Sequence, residues 1–210
     1  AAKAGWQVVG FDTDSERVET LRSGIPISHD VSPEELNAVF RSGAYTPVCS
    51  AQDPLEADVF VITVPTPLRD GIPDLGFIES AAKTIGRVLR TGNLVILEST
   101  TYPGTTRELV CPLLQEISGL TVEADFHLGY SPERIDPGNQ KWTLLNTPKV
   151  VSGTNPTGLS RVSDFYSSIG IETVPVSTPD VAELTKLLEN TFRHVNIALM
   201  NELQMFSRSL

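Results

Sequence analysis

The chain has 210 residues, 40% of them hydrophobic and 20% charged, so it is long and apolar enough to bury a full core, and neither disorder nor membrane spans fit it. A formal charge of −10 argues against nucleic acid as a general partner, because phosphate binding calls for the opposite sign. Two cysteines, Cys49 and Cys111, form neither a disulfide framework nor a metal pattern; with no charged leader and no apolar run of about 18 residues, they point to a reducing, cytoplasmic setting without metal.

Strand and helix patterns alternate along the chain. A strand is expected over 7–11 (QVVGF), ending at Asp12, and a helix over 14–23, closed by Gly24. Residues 25–47 read as an insertion with one helix, started by Ser32-Pro33-Glu34-Glu35 and ended near Gly43. Residues 58–64 (DVFVITV) are continuously apolar and β-branched, as a strand covered on both faces should be. A helix over 75–89, a strand at 94–97 (LVIL), a helix over 105–117 and strands at 125–129 and 149–152 follow. The alternation closes with a helix over 160–169 and a strand at 172–176, and one long helix starts after Pro179. This spacing predicts an α/β fold, a Rossmann-like doubly wound parallel sheet with helices on both faces, over 1–178, then a separate helical element over 179–210.

The long helix carries two polar stripes. At about 100° per residue, Leu184, Leu187, Leu188, Val195, Ala198 and Leu199 share one apolar face, with Thr185, Glu189 and Asn196 on the opposite, solvated edge. Glu183, Lys186, Asn190, Arg193, His194 and Asn201 form a second polar arc. A surface helix needs one wet side. The second suits the wall of a polar cleft; a wide solvated face is the plainer alternative.

Ligands of doubly wound sheets bind beyond the carboxyl ends of the strands. After the first strand, Asp12 is placed to accept ribose hydroxyls, although Asp there is as often a helix cap, a role open to Asp14. After the second, Val64-Pro65-Thr66-Pro67 makes a rigid loop. After the third, Glu98-Ser99-Thr100-Thr101-Tyr102-Pro103-Gly104-Thr105-Thr106 offers hydroxyls and N–H groups at a helix start, suited to phosphate or an oxyanion, or simply to capping. After the fourth comes Tyr130-Ser131-Pro132-Glu133-Arg134, an acid and a base side by side.

These motifs resemble the nucleotide-sugar 6-dehydrogenases of the UDP-glucose/GDP-mannose dehydrogenase family, in particular the branch acting on UDP-N-acetylhexosamines. The resemblance rests on ISHDVSPEEL (27–36), VPTPL (64–68), PDLGFIESA (73–81), LVILESTTYPGTT (94–106), YSPERIDPGN (130–139), PKVVSG (148–153) and KLLENTFRHVNIALMNEL (186–203). It implies NAD as cofactor and a UDP-sugar as substrate. The C6 alcohol would be oxidised to a carboxylate in two hydride transfers through a cysteine thioester, as a step of polysaccharide biosynthesis, and a homodimer would form through the central helix. By position, Asp12 and Arg17 match the adenosine-ribose contacts, and Thr66 and Ser99 the cofactor loops. Thr100 matches the threonine that holds the catalytic water, with Thr101 as its possible substitute. Glu133 matches the acid near C6; Lys186 and Asn190 match the helix pair that touches substrate; Arg134 and Arg193 extend the substrate contacts, and His194 continues the stripe. Some members carry a second acid four residues past Glu133, where this chain has Pro137.

The resemblance also implies that the first strand and its G-x-G-x-x-G turn precede residue 1, and that the nucleophilic cysteine and a UDP-binding domain follow residue 210. The 210 residues alone are therefore expected to be inactive. Two other readings stay open. β-Hydroxyacid dehydrogenases also carry Lys-x-x-x-Asn on a long helix, as Lys186 and Asn190 do, but lack ESTTYPGTT and SPERIDPGN. A non-catalytic dimerisation remnant of the fold is the other.

Overall fold

The computed structural model describes residues 1–28, 31–49, 56–134 and 146–210. The chain divides into two units: Ala1–Ala57 with Ser168–Gly170, and Asp58–Ser167 with Ile171–Leu210.

In the first unit, strand β1 (Val8–Phe11) leads into helix α1 (Ser15–Arg22), then α2 (Pro33–Arg41) and β2 (Tyr45–Val48). Asp14 caps α1, accepting from the N–H groups of Glu16 and Arg17 at 2.9 and 3.2 Å. Ser32 and Glu35 cap α2 reciprocally, each side chain accepting from the other's N–H. Strand β2 corrects the expected insertion: it pairs in parallel with β1, with Gly10 opposite Pro47. Pro47 counts against a strand in sequence. Here Val8 and Asp12 donate to Ala44 and Val48, an alternation that turns Pro47 away from β1, so its missing N–H costs no ladder bond.

The second unit runs β3 (Val59–Ile62), a hairpin of β4 (Leu68–Arg69) and β5 (Ile72–Pro73), α3 (Gly76–Gly86) and β6 (Leu94–Leu97). A π-helical stretch, Thr105–Val110, continues into α4 (Cys111–Ser118); then come β7 (His127–Tyr130), β8 (Lys149–Gly153), α5 (Pro156–Ser168), β9 (Thr173–Pro175) and α6 (Pro179–Arg208). The helix expected over 105–117 thus starts as a π-helix. Cys111 N–H reaches back to Thr106 O, and Pro112 has no N–H to offer the next carbonyl. The hairpin turns at Asp70-Gly71, both with positive φ (53° and 78°), the geometry that Asp-Gly tolerates best.

The sheet order is β3-β6-β7-β8-β9. All neighbours are parallel except β7 and β8, which pair antiparallel through Gly129↔Gly153 and Tyr130↔Ser152. The sequence predicted only parallel pairing. A parallel β8 would have carried the chain back along the whole sheet; reversal instead starts β8 at the edge where β7 ends.

Strand β6 is buried along its whole length, as a strand covered on both faces should be. Val95 and Leu97 join Phe60, Ile62, Leu128 and Tyr130 in a core with Ile78 and Ala82 of α3 and Leu114 of α4. On the other face, Gly129 lets α5 close in: a Cβ there would stand 2.6 Å from Val162 Cγ2. Strand β3, expected to be covered on both faces, leaves Val61 37% exposed because it stands at the edge of this sheet.

Helix α6 docks by its first turns only. Ala182 and Glu183 are buried, Lys186, Leu187, Glu189 and Asn190 half-buried, and every residue from 191 to 210 is exposed. The first half of the polar stripe, Glu183, Lys186 and Asn190, therefore faces inward, Arg193, His194 and Asn201 do not, and Leu184, Leu188, Val195 and Leu199 of the apolar face stand 50–66% exposed. Glu189, expected on the solvated edge, is drawn inward by Arg134.

Candidate active site

Strands β3, β6 and β7 are parallel, so their C-terminal loops open at one edge of the sheet, and the reversed β8 begins there. After β3, Thr66 Oγ1 is buried with no hydrogen-bond partner among the described residues. Such an orphan in a loop held by two prolines fits a group that completes its hydrogen bonds from outside the chain, as a bound dinucleotide would. After β6, Ser99 is buried and its hydroxyl donates to Ile62 O at 3.4 Å. Thr100 is exposed, whereas Thr101 is buried with its hydroxyl 2.6 Å from that of Thr105. The geometry leaves Thr100 available to a ligand and commits Thr101 to the loop.

The same loop is fastened to α6. Gly104, at φ 100°, and Thr106 donate their main-chain N–H groups to Glu183 at 2.7 and 2.8 Å, and the Thr106 hydroxyl donates at 2.6 Å. An N–H pair that the sequence offered to an oxyanion is thus satisfied within the chain.

After β7, Lys186 Nζ on α6 donates to the main-chain oxygen of Glu133. Burial lowers the Lys186 pKa, and the Glu133 and Glu189 carboxylates oppose the shift. Arg134 donates from its fork to Glu189 and at 3.0 Å to Pro148 O, so its guanidinium ties the loop to α6 and to the approach of β8. Asn190 is half-buried one turn beyond Lys186; Arg193 and His194 are exposed. Pro137 lies outside the described residues.

Sequence reasoning missed two participants. Lys149, at the head of β8, is 5% exposed, with Nζ 3.3 Å from Glu98 Oε1 and 3.7 Å from Glu133 Oε2. Tyr166 donates to the same Glu98 oxygen, and its own pKa is pushed well up by burial and by Glu98. A lysine inside an apolar strand, and a glutamate one position past the end of β6, were the available signals. A concavity of about 650 Å³ lies elsewhere, lined by Arg69, Asp74, Tyr102 and Glu108 among others, and none of the expected site residues borders it.

In the first unit, Asp12 directly follows β1. Its carboxylate accepts from Asp14 N–H at 3.0 Å and pairs with Arg17 Nε at 3.2 Å, and both side chains keep more than a third of their surface exposed. The two expected ribose residues are therefore neighbours, with the acid preceding the cation along the chain.

Residues 1–170 match the NAD binding domain of the UDP-glucose/GDP-mannose dehydrogenase family, and residues 180–210 its central domain. The chain belongs to this family. It is 39% identical over 207 residues to the UDP-N-acetyl-D-glucosamine 6-dehydrogenase of Salmonella typhi, covering 97% of this chain and 48% of that protein. It is 41% identical over 199 residues to Protein CapL of Staphylococcus aureus, covering 94% and 46%. The solved UDP-D-ManNAc dehydrogenase of Pyrococcus horikoshii superposes with a TM-score of 0.87 at 36% identity, covering 96% of this chain and 48% of that one. The chain spans about half the length of the curated relatives it matches. As a member of the family it carries an NAD-binding domain of Rossmann type, with a parallel-dominated sheet followed by the long helix. Among the described residues, no helix is long and apolar enough to cross a membrane.

Proposed function

We propose that the protein carrying this chain is an NAD-dependent UDP-sugar 6-dehydrogenase, acting on a UDP-N-acetylhexosamine and oxidising its C6 alcohol to the uronic acid. The observation that carries this reading is the meeting of Lys186 on α6 with the Glu133 main chain beyond β7. It joins the polar stripe of the helix to the acid of the strand-end motif, and relatives matched over almost the whole chain are named as UDP-N-acetylhexosamine dehydrogenases.

NAD, when bound, would supply the acceptor for the C6 hydride. Asp12, helped by Arg17, accepts the adenosine ribose hydroxyls; Thr66, Ser99 and Thr100 line the cofactor loops. Lys186 Nζ places a cation where the C6 oxygen gains charge, stabilising it in a partly dry site. Its lowered pKa also eases transfer of its proton. The Glu133 carboxylate, 42% exposed, stands near C6, Thr100 holds the water, and Asn190, one turn past Lys186, orients the oxygen it shares with that lysine. Arg134 shapes the substrate side through Glu189, and Arg193 extends the cationic lining. The thioester stage is assigned to neither cysteine here: Cys111 is buried in α4 with its thiol pKa raised by burial, and Cys49 Sγ lies 3.8 Å from Thr13 O. Two free thiols suit a cytoplasmic setting.

The exposed apolar face of α6 is read as the contact with a second copy of the chain. The whole protein, given UDP-N-acetylglucosamine or UDP-N-acetylmannosamine and NAD, should yield two NADH per sugar and an acidic product. Absence of NADH formation with every UDP-sugar would reject the reading.

A further inference from the structure

Burying a lysine costs several kcal/mol unless its charge is met. Lys149 is met on several sides: Glu98 at 3.3 Å, the Tyr166 ring at 5.0 Å from Nζ, Pro132 O at 3.3 Å and Glu133 Oε2 at 3.7 Å. Glu98 and the ring suffice to balance the charge. The reach to Pro132 and Glu133 does something else, because the neighbouring carbonyl, that of Glu133, is the one that Lys186 holds. Two lysines from two elements, β8 and α6, thus grip consecutive carbonyls of one loop.

The placement follows from the strand reversal. Continuing the β7–β8 register beyond Tyr130↔Ser152 sets Lys149 opposite Glu133. Ser131 fixes the same register, its hydroxyl donating to Val150 O at 2.8 Å. The other ionisable groups around the loop are Glu98 past β6, Tyr166 of α5, and Lys186 and Glu189 of α6, the last engaged by Arg134.

We propose that Lys149 is a positioning residue of this site, holding the Pro132–Glu133 main chain and the Glu133 carboxylate where Lys186 meets them. The inference rests on the dehydrogenase reading above and adds a residue to it. Misplacing a reacting group by about 1 Å costs on the order of 100-fold in rate, so Lys149→Met in the whole protein should lower kcat roughly 10- to 100-fold with little change in KM for the UDP-sugar. Lys149→Arg, which keeps a cation long enough to reach the same oxygens, should recover most of that loss. Because Lys149→Met strips Glu98 of its cation, the double variant Lys149→Met with Glu98→Gln is measured beside it. The double variant removes the orphaned charge at Glu98 while still taking the Lys149 contact away from Glu133 and Pro132, and should show the same fall in kcat. A folded double variant turning over at the wild-type rate would overturn the assignment of Lys149 and leave the dehydrogenase reading standing. A wild-type protein that oxidises no UDP-sugar would remove the reading and this inference together.

Discussion

Glu183 and Thr106, 77 residues apart in sequence, are joined twice: the Glu183 carboxylate accepts both the main-chain N–H and the hydroxyl of Thr106, at 2.8 and 2.6 Å. The contact locks the start of α6 to the π-helical stretch. Glu183→Ala should destabilise the protein by roughly 3 kcal/mol, because it leaves the buried donors of Gly104 and Thr106 unpaired. Glu183→Gln keeps one acceptor and should cost roughly 1 kcal/mol. Burial raises the Glu183 pKa, against the pull of its Thr106 and Gly104 bonds. The folded protein therefore keeps this proton to higher pH than the unfolded chain does. Its stabilising contribution is full below the ordinary carboxylate range and is lost as pH rises through the raised folded value. Thermal melts across that window should fall less steeply for Glu183→Gln than for wild type; parallel profiles would contradict the assignment.

Lys186→Ala should lower kcat far more than it raises KM for the sugar, on the order of 10² to 10³ in rate, since its charge acts most where an oxyanion develops. Asn190→Ala should slow the final hydrolysis and leave sugar covalently bound, detectable by intact-protein mass. Were both residues mere solvated positions, steady-state turnover would stay near normal.

On the reading proposed above, Asp12 decides between NAD and NADP. Its carboxylate repels a 2′-phosphate, yet the Arg17 guanidinium 3.2 Å away is available to attract one. Asp12→Ala should therefore raise KM for NAD and narrow the gap between NAD and NADP. Steady-state comparison of the two cofactors reads this directly, and an unchanged ratio would count against it.

Gly153→Ala tests how closely α5 rests on the sheet. The added Cβ would lie 2.1 Å from the main-chain nitrogen of Leu159, so the helix must shift. A loss of about 3 kcal/mol is expected, seen as a lower urea midpoint.

Association through α6 is the remaining expectation. Leu188 and Phe192 are 66% and 69% exposed on a helix with no covering element among the described residues. In sedimentation the whole protein should dimerise, and Leu188→Asp with Phe192→Asp should weaken the dimer. A wild-type monomer at concentrations well above micromolar would rule this out.

Much of the fold is legible from local pattern. LVIL reads as a doubly covered strand because its burial is uniform, and β6 is buried throughout. Asp14 and Ser32 announce helix starts because capping is a contact within one turn. The Asp70-Gly71 hairpin was equally local, but its strands of two residues fall below what periodicity detects. The strand at 45–48 was hidden by Pro47, whose cost depends on which side of the ladder it faces.

By itself the sequence determined the alternation of strands and helices, the strand-end motifs and the polar stripe of α6, because each is written in neighbours within a turn or a strand. The tertiary structure decided what those groups do with one another. Only strand reversal sets Lys149 opposite Glu133, and only the docking of α6 turns Glu183 into an acceptor for Gly104 and Thr106 rather than a solvated charge. Likewise, Thr100 and Thr101 are equivalent as letters; one is left exposed because the hydroxyl of the other is taken by Thr105. A charged or hydroxylic side chain satisfies itself with whichever partner the fold brings near, and that partner lies dozens of residues away in sequence for Glu183 and Lys149 alike.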